Sequence, residues 1–251
     1  MNEKNIPVIG WLVCIDGPDK GKDYHIVNTP IGNGIGTDES MAVVVKDDPD
    51  VAPINHAVIR FDEQFGKCVL SQGVGKRIVR LNGAIVFGPT YLKPFDRIVI
   101  GKSEYLFMPY GGNVDPSNTW MKVKNKQPIT DILSEMKDCA TNPCVGWLVD
   151  RGMERNGVAY RLTADFNYIG TDASMDICVA PDNSIANEYH AAIVYDSKDN
   201  SYFFVPIAMS SGYFINGMPI NGVVPLQGFE EISMGVTRVC FVPICGEYFR
   251  W

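Results

Sequence analysis

The amino-acid sequence contains the same ordered set of short motifs twice, at one fixed interval. Gly36-Thr37-Asp38, His56-Ala57, Asn82-Gly83 and Gly101 recur as Gly170-Thr171-Asp172, His190-Ala191, Asn216-Gly217 and Gly235. The interval is the same for every pair, since 170 − 36, 190 − 56, 216 − 82 and 235 − 101 all equal 134. It exceeds the roughly 20 to 50 residues of a solenoid unit and is typical of a duplicated domain.

The length of 251 residues agrees with two domains of roughly 100 to 150 residues each. We predict domain 1 at 1–112, a linker at 113–142 and domain 2 at 143–251. One stretch of the linker has the spacing of a short amphipathic helix with Thr130 as its N-cap: Ile129, Ile132, Leu133 and Met136. Such a helix either docks on a domain or only spaces the two domains.

Short β-branched and aromatic runs, separated by Gly, Pro, Asn and Asp, dominate both halves. We predict nine strands in each half, from Trp11–Ile15 to Tyr105–Met108 and from Trp147–Val149 to Arg238–Val242. Many short strands at regular spacing indicate two all-β sandwiches. Asn82-Gly83 and Asn216-Gly217 predict type I′ hairpin turns between strands.

Charge and composition exclude several classes of partner and compartment. The net charge of −7 and the pI near 5.0 disfavour nucleic acid and anionic membranes, which attract basic surfaces. No apolar run has the length of a signal peptide or a membrane span, so we expect a cytoplasmic protein without membrane insertion. Seven cysteines, an odd number without a Cys-x-x-Cys pair, predict reduced thiols.

No motif predicts an enzyme, a cofactor or a metal site. The glycine-rich run at 32–36 precedes a predicted strand, whereas a dinucleotide site needs a helix there. The run at 73–77 lacks the first glycine and the Ser or Thr of a P-loop. The acidic loop with Asp47, Asp48 and Asp50 can hold a cation or form a solvated turn, and its spacing favours the turn.

The motif order resembles that of forkhead-associated (FHA) domains, in both halves. The resemblance is carried by Ile35-Gly36-Thr37-Asp38, His56-Ala57-Val58-Ile59, Leu81-Asn82-Gly83 and Asp96-Arg97-Ile98-Val99-Ile100-Gly101, with their counterparts at the same interval in the second half. The end of the chain, Phe241 to Trp251, is similar to the tail of FHA-like domains of Gram-positive bacteria. The resemblance implies eleven-stranded sandwiches whose loops at one end read phosphothreonine.

Both halves depart from the family where it contacts phosphate. The family arginine after the first glycine is replaced by Thr37 and Thr171, and the serine before the histidine by Pro53 and Asn187. A second arginine position holds Ile54 and Glu188. Each lost charge-assisted contact weakens phosphate binding by about 1.5 to 3 kcal/mol, so the phosphothreonine motifs are degenerate.

The resemblance still implies a set of peptide-binding candidates at the loops. The two histidines and the two Asn-Gly asparagines also have structural interpretations, as loop supports and turn residues. Arg77, with Lys76, either replaces part of the lost charge or forms a solvated basic turn. The candidates are Thr37, Ser40, Asn55, His56, Arg77, Asn82, Thr171, Ser174, Asn187, His190, Ser211 and Asn216.

We therefore predict a non-enzymatic protein-interaction or scaffold module that binds another protein independently of phosphorylation. Two alternatives remain: a phosphothreonine reader acting through domain 1, and a structural subunit of a bacterial secretion or envelope assembly. Two copies permit either bivalent capture of a partner or one docked pair.

Overall fold

The computed structural model describes residues 8–73, 77–110, 142–152, 157–208 and 212–251. The chain divides into two compact units, Met1–Thr141 and Asn142–Trp251. The predicted linker helix and Cys139 lie outside the described residues, as do Lys76 and Ser211. The predicted domain limits remain a prediction, and each unit is described by itself.

The first unit, unit 1, is a sandwich of one six-stranded and one five-stranded sheet. The sheet orders are β2-β1-β11-β10-β7-β8 and β4-β3-β5-β6-β9. Among the described strands of unit 1, only β3 and β4 form a parallel pair. The strands are β1 (Val8–Asp16), β2 (Asp23–Val27), β3 (Asn33–Gly36), β4 (Val43–Val44), β5 (Ala57–Asp62), β6 (Lys67–Gln72), β7 (Val79–Leu81), β8 (Ala84–Ile85), β9 (Thr90–Tyr91), β10 (Arg97–Ile100) and β11 (Ser103–Pro109).

The second unit, unit 2, repeats this arrangement with sheet orders β13-β12-β22-β21-β18-β19 and β15-β14-β16-β17-β20. Its one parallel pair in the described range is β14–β15. The strands are β12 (Gly146–Asp150), β13 (Ala159–Leu162), β14 (Asp165–Gly170), β15 (Ile177–Cys178), β16 (Ala191–Asp196), β17 (Ser201–Pro206), β18 (Tyr213–Ile215), β19 (Met218–Ile220), β20 (Val224–Leu226), β21 (Glu231–Met234) and β22 (Thr237–Pro243).

Alternating residues of the two sheets fill the core of each sandwich. In unit 1, Leu12 and Phe107 of the six-stranded sheet share one buried cluster with Ile35, Ile59 and Leu70 of the five-stranded sheet. The corresponding buried residues of unit 2 are Leu148, Phe241, Ile169, Ile193 and Phe204. Each unit therefore buries its own apolar core between its two sheets.

The prediction of two all-β sandwiches is confirmed, and each unit has the eleven strands that the FHA resemblance implies. The Asn-Gly turns are also confirmed, because φ is 50° and 83° at Asn82-Gly83 and 51° and 78° at Asn216-Gly217. Four strands escaped prediction: β3, β9, β14 and β20. The part of the chain that the structure describes contains no helix, and so no helix that could cross a membrane.

A buried asparagine fastens the start of β3 to two neighbouring segments. The Nδ2 of Asn33 donates to the carbonyl oxygens of Val27 (2.9 Å) and Ile59 (3.1 Å), and its Oδ1 accepts the Val27 N–H. Asn167 makes the same bonds in unit 2, to Thr163 and Ile193. A fully bonded amide can be buried at little free-energy penalty, and these bonds fix the position where β3 or β14 begins.

The six described cysteines are free thiols, and five of them are buried. Burial raises the pKa of Cys14 and of Cys68 to about 12. Thiols with such a pKa are protonated and unreactive at neutral pH. Cys14 and Cys68 are therefore packing residues, as predicted.

Replacing Asn33 with Ala should lower the free energy of unfolding by about 1 to 3 kcal/mol, because buried backbone groups lose their partners. Urea denaturation followed by tryptophan fluorescence measures the change. Asn28→Ala is the control, since Asn28 makes an exposed bond to Glu63 and should lose less than about 0.5 kcal/mol. Equal losses in the two variants would show that Asn33 is not a structural anchor.

Candidate functional site

Three loops meet at one end of each sandwich. In unit 1 they are residues 37–42, 45–56 and 73–78, which follow β3, β4 and β6, and of which 74–76 lie outside the described residues. Ala57 at the start of β5 pairs with Ile35 near the end of β3 and with Gln72 at the end of β6, which brings the loops together. The equivalent loops of unit 2 are 171–176, 179–190 and 207–212, of which 209–211 lie outside the described residues.

The Gly-Thr-Asp motif joins the first two loops through the backbone. In unit 2, the N–H groups of Thr171 and Asp172 donate to the carbonyl oxygen of Asn187 at 3.0 and 2.9 Å. A Cβ on Gly170 would lie 2.3 Å from that same oxygen, so only glycine allows the approach. Unit 1 repeats this contact, with Gly36 against Pro53.

His56 joins the second and third loops of unit 1 through a buried imidazole. Its Nδ1 accepts the Ala52 N–H at 3.1 Å, and its Nε2 lies 3.3 Å from the carbonyl oxygen of Ile78. Because Nδ1 is an acceptor, Nε2 carries the proton and donates it to Ile78. The side chain is 1% exposed, so it supports the loops and does not face solvent.

His190 has the same place in unit 2. Its Nδ1 accepts the Ala186 N–H at 3.0 Å, and its carbonyl oxygen accepts the hydroxyl of Tyr213 at 2.7 Å. Its buried Nε2 has no hydrogen-bond partner in the described part of the chain. Burial lowers the pKa of both His56 and His190, so both rings are neutral at pH 7.

The hydroxyl groups of Ser40, Thr171 and Ser174 are already bonded within the chain. The Thr171 hydroxyl donates to Oδ1 of Asn187 at 3.0 Å. The Ser40 hydroxyl donates to Asp38 at 2.5 Å, and Ser174 stabilises Asp172 through its backbone N–H. Hydrogen bonds from Ser40 and Ser174 hold the pKa of these two exposed carboxyls below its usual value. The loop ends therefore present fixed carboxylates.

The structure does not bring Asn82 and Asn216 to these loops. Ile78 precedes β7 and Asn82 follows it, so the three residues of the strand, about 10 Å, separate them. The Asn82 amide donates to Asp96 and accepts the Arg97 N–H, both at 2.9 Å. Asn216 similarly accepts the Glu231 N–H at 2.9 Å, so both asparagines hold their hairpins to the sheet.

Arg77 lies at a pocket of about 360 Å³ beside the loop end of unit 1. Arg80 and the carboxylate residue Asp50 line the same pocket, which Ile78, Val99 and Gly101 complete. Two guanidinium groups beside one carboxylate leave a net positive site that can take an anion. Sequence reasoning missed Arg80, although the alternation of side chains along β7 could have placed it on the outer side of the sheet.

The interpretation of Asp48 as part of a solvated turn is wrong. Asp48 is 3% exposed, and its carboxylate accepts the N–H groups of Asp50 (3.0 Å) and Lys102 (2.6 Å). Its counterpart Asp182 accepts the Thr237 hydroxyl at 2.7 Å. These carboxylates tie the second loop to the β10–β11 hairpin in unit 1 and to the β21–β22 hairpin in unit 2. The described residues contain no cluster that could hold a metal ion.

No family model and no curated protein matches the chain. Solved FHA structures do match it, each over about the length of one unit. The N-terminal FHA domain of Saccharomyces cerevisiae Rad53p in complex with a phosphothreonine peptide is 16% identical, with a TM-score of 0.35 over 39% of this chain and 93% of that chain. The FHA domain of the Chlamydia trachomatis protein CT664 is 23% identical, with a TM-score of 0.35 over 39% and 96%.

The cytoplasmic domain of the T3SS sorting platform protein PscD from Pseudomonas aeruginosa is similar to the same extent. It is 17% identical, with a TM-score of 0.35 over 40% of this chain and 81% of that chain.

The stability of both units should fall as the pH drops from 7 toward 5. The unfolded histidines ionise near pH 6.5, whereas burial lowers the folded pKa of His56 and His190. Their contribution is therefore complete above about pH 6.5 and is lost progressively below it. Denaturant unfolding at pH 7.5, 6.5, 5.5 and 5.0 measures the slope.

The double variant His56→Gln, His190→Gln should show a flatter pH dependence, because glutamine can accept the same loop N–H and does not titrate. Parallel curves for the variant and the unchanged chain would contradict this assignment.

Proposed function

We propose that the chain is a non-enzymatic protein-interaction module whose binding does not depend on phosphorylation of the partner. Its loops are held by hydrogen bonds that loop N–H groups donate to the buried imidazoles of His56 and His190, and rigid loops on a rigid scaffold are suited to recognition. The observation that carries this proposal is the hydrogen bond between Thr171 and Asn187. These two residues stand at positions where the family contacts phosphate, and in unit 2 they bond to each other instead.

Charge supports the same conclusion for unit 2. The exposed carboxylates of Asp172, Asp176 and Glu188 belong to its loops. No Lys or Arg occurs between Thr163 and Ser197. A phosphate group with a charge near −2 would meet carboxylates and no cation there, which is unfavourable.

The pocket of unit 1 favours a second candidate function. Arg77 and Arg80 line it together, and bidentate guanidinium contacts are the usual means of binding phosphate. A phosphothreonine reader acting through unit 1 is therefore the alternative. Asp50 in the same pocket would oppose a doubly charged ligand.

Fluorescence anisotropy of the full chain should separate the two functions. A degenerate phosphothreonine peptide pool and the same pool without phosphate should bind with affinities that differ by less than about threefold, since the phosphate group adds no net binding free energy. Affinity capture from the native cell should likewise recover the same partners with and without phosphatase treatment.

The variant Arg77→Ala, Arg80→Ala tests the alternative directly. Arg97→Ala is the matched control, because Arg97 lies on the same sheet, pairs with Glu104 at 3.2 Å and does not line the pocket. A phosphate preference of tenfold or more that only the double variant removes would establish the phosphothreonine reader instead.

A further inference from the structure

The outer face of the five-stranded sheet of unit 2 is apolar and aromatic. Along β14, β16 and β17, the side chains that alternate with the buried core residues point outward. We call this surface the aromatic face, and we define it by Phe166, Tyr168, Tyr189, Val194, Phe203 and Val205. Phe166 and Tyr189 are 52% and 48% exposed, and the other four are partly exposed.

The rings of this face form one continuous cluster. Phe166 stacks on Tyr168 with centroids 5.5 Å apart, and Tyr168 meets Tyr189 edge to face at 5.0 Å. Tyr189 adopts a positive φ of 49°, which is strained for a side chain of its size. An exposed tyrosine held in a strained conformation is more typical of a binding surface than of a packing position.

None of the six equivalent positions in unit 1 is aromatic, although the strand registers are identical, and the exposed rings on its sheet, Tyr91 and Phe65, occupy other positions. The counterparts of Phe166, Tyr168, Tyr189, Val194, Phe203 and Val205, each displaced by the interval of the duplication, are Gly32, Gly34, Asn55, Arg60, Val69 and Ser71. The fold therefore does not require the aromatic residues, since unit 1 forms the same sheet without them.

Charge differs between the two units in the same region. Residues 163–226, which contain the five-stranded sheet of unit 2 with its loops, hold seven acidic side chains and one basic side chain, Lys198. The equivalent residues 29–92 hold seven acidic and six basic side chains. The net charge is thus −6 in unit 2 and −1 in unit 1.

Carboxylates border the aromatic face directly. Asp176 accepts the Tyr168 N–H at 2.9 Å, and Glu188 is the neighbour of Tyr189 in the chain. Asp196 extends the outward row of β16 beyond Val194. Electron-rich rings next to carboxylates attract a cation through both cation–π and Coulomb interactions.

Neither a second copy nor the predicted linker helix fits this surface. The face spans three strands, about 10 Å at about 4.8 Å per spacing, and is about 10 Å long, so its area is far below the ~800 Å² that each partner buries in a stable complex of folded proteins. A second copy would also bring a net charge of −7. The predicted linker helix carries Asp131, Glu135 and Asp138 against Lys137, which adds to the repulsion.

We propose that the aromatic face of unit 2 binds a short segment of another protein that combines apolar and cationic side chains. The apolar side chains would pack on Phe166, Phe203 and Val205, and a Lys or Arg would lie over Tyr168 or Tyr189 beside Asp176 and Glu188. This proposal depends on the interaction role proposed above. It concerns a different surface from the loop ends and the pocket of Arg77.

The test uses the full chain and three short fluorescein-labelled synthetic peptides of equal length. The first carries leucines at helical spacing and five lysines, the second replaces the lysines with glutamates, and the third replaces the leucines with serines. Only the first should bind, and its affinity should fall as NaCl rises from 50 to 300 mM, because screening weakens the charge contribution.

Variants that give unit 2 the residues of unit 1 locate the surface. Tyr189→Asn with Phe203→Val should weaken binding by about tenfold or more, and Asp176→Asn with Glu188→Gln should weaken it and reduce the salt dependence. Both pairs should keep the melting temperature, since Asn and Val occupy the same positions in unit 1 and the two carboxylates are exposed. Val205→Arg should also weaken binding. The equivalent change in unit 1, Ser71→Arg, is its control and should leave binding unchanged.

Several outcomes would overturn the proposal. They are no binding of the lysine–leucine peptide up to 1 mM, equal binding of the glutamate peptide, and equal loss in Ser71→Arg and Val205→Arg. Self-association in sedimentation experiments that Val205→Arg abolishes would show a second copy on the face. Binding that appears only after Ile132→Ser and Leu133→Ser would show that the chain's own linker covers it. The phosphopeptide comparison remains independent of all these results.

Discussion

The hydrogen bond from a loop N–H to a buried imidazole is the interaction on which each loop end depends. Ala52 donates to His56 and Ala186 to His190, and the backbone N–H of each histidine also donates to β3 or β14, at Ile35 and Ile169. A neutral ring that is bonded in place sets the path of the second loop without presenting a charge. The exposed side chains of the loops can then vary between units while their backbone stays the same.

On this common frame, the two units carry different outer surfaces. Unit 1 has arginines beside its loop end and no ring at the positions of the aromatic face, whereas the five-stranded sheet of unit 2 nearly lacks basic residues and exposes an aromatic cluster there. Because the registers coincide residue by residue, the difference lies in side chains and not in the backbone. Specificity in such a pair comes from surface chemistry, which a shared fold does not determine.

The sequence predicted the sandwiches, the Asn-Gly turns and the duplication, because those features depend on local patterns. It missed β3, because Gly34 and Gly36 have low strand propensity and the strand is held by pairing with β5. It also missed β14, although Phe166, Tyr168 and Ile169 are typical of a strand. It also placed Asp48 in solvent, because burial by a hairpin distant in sequence leaves no local pattern. The aromatic face escaped notice for the same reason: its residues come from three strands and a loop.

The charge difference between the units also affects how a partner arrives. The field of a region with net charge −6 extends about one Debye length, roughly 8 Å at physiological ionic strength, beyond its surface. A cationic segment diffusing near the chain is therefore drawn toward unit 2 before any contact forms, and its encounter rate exceeds that of a neutral segment. The near absence of lysine and arginine from residues 163–226 thus acts on the kinetics of association as well as on its strength.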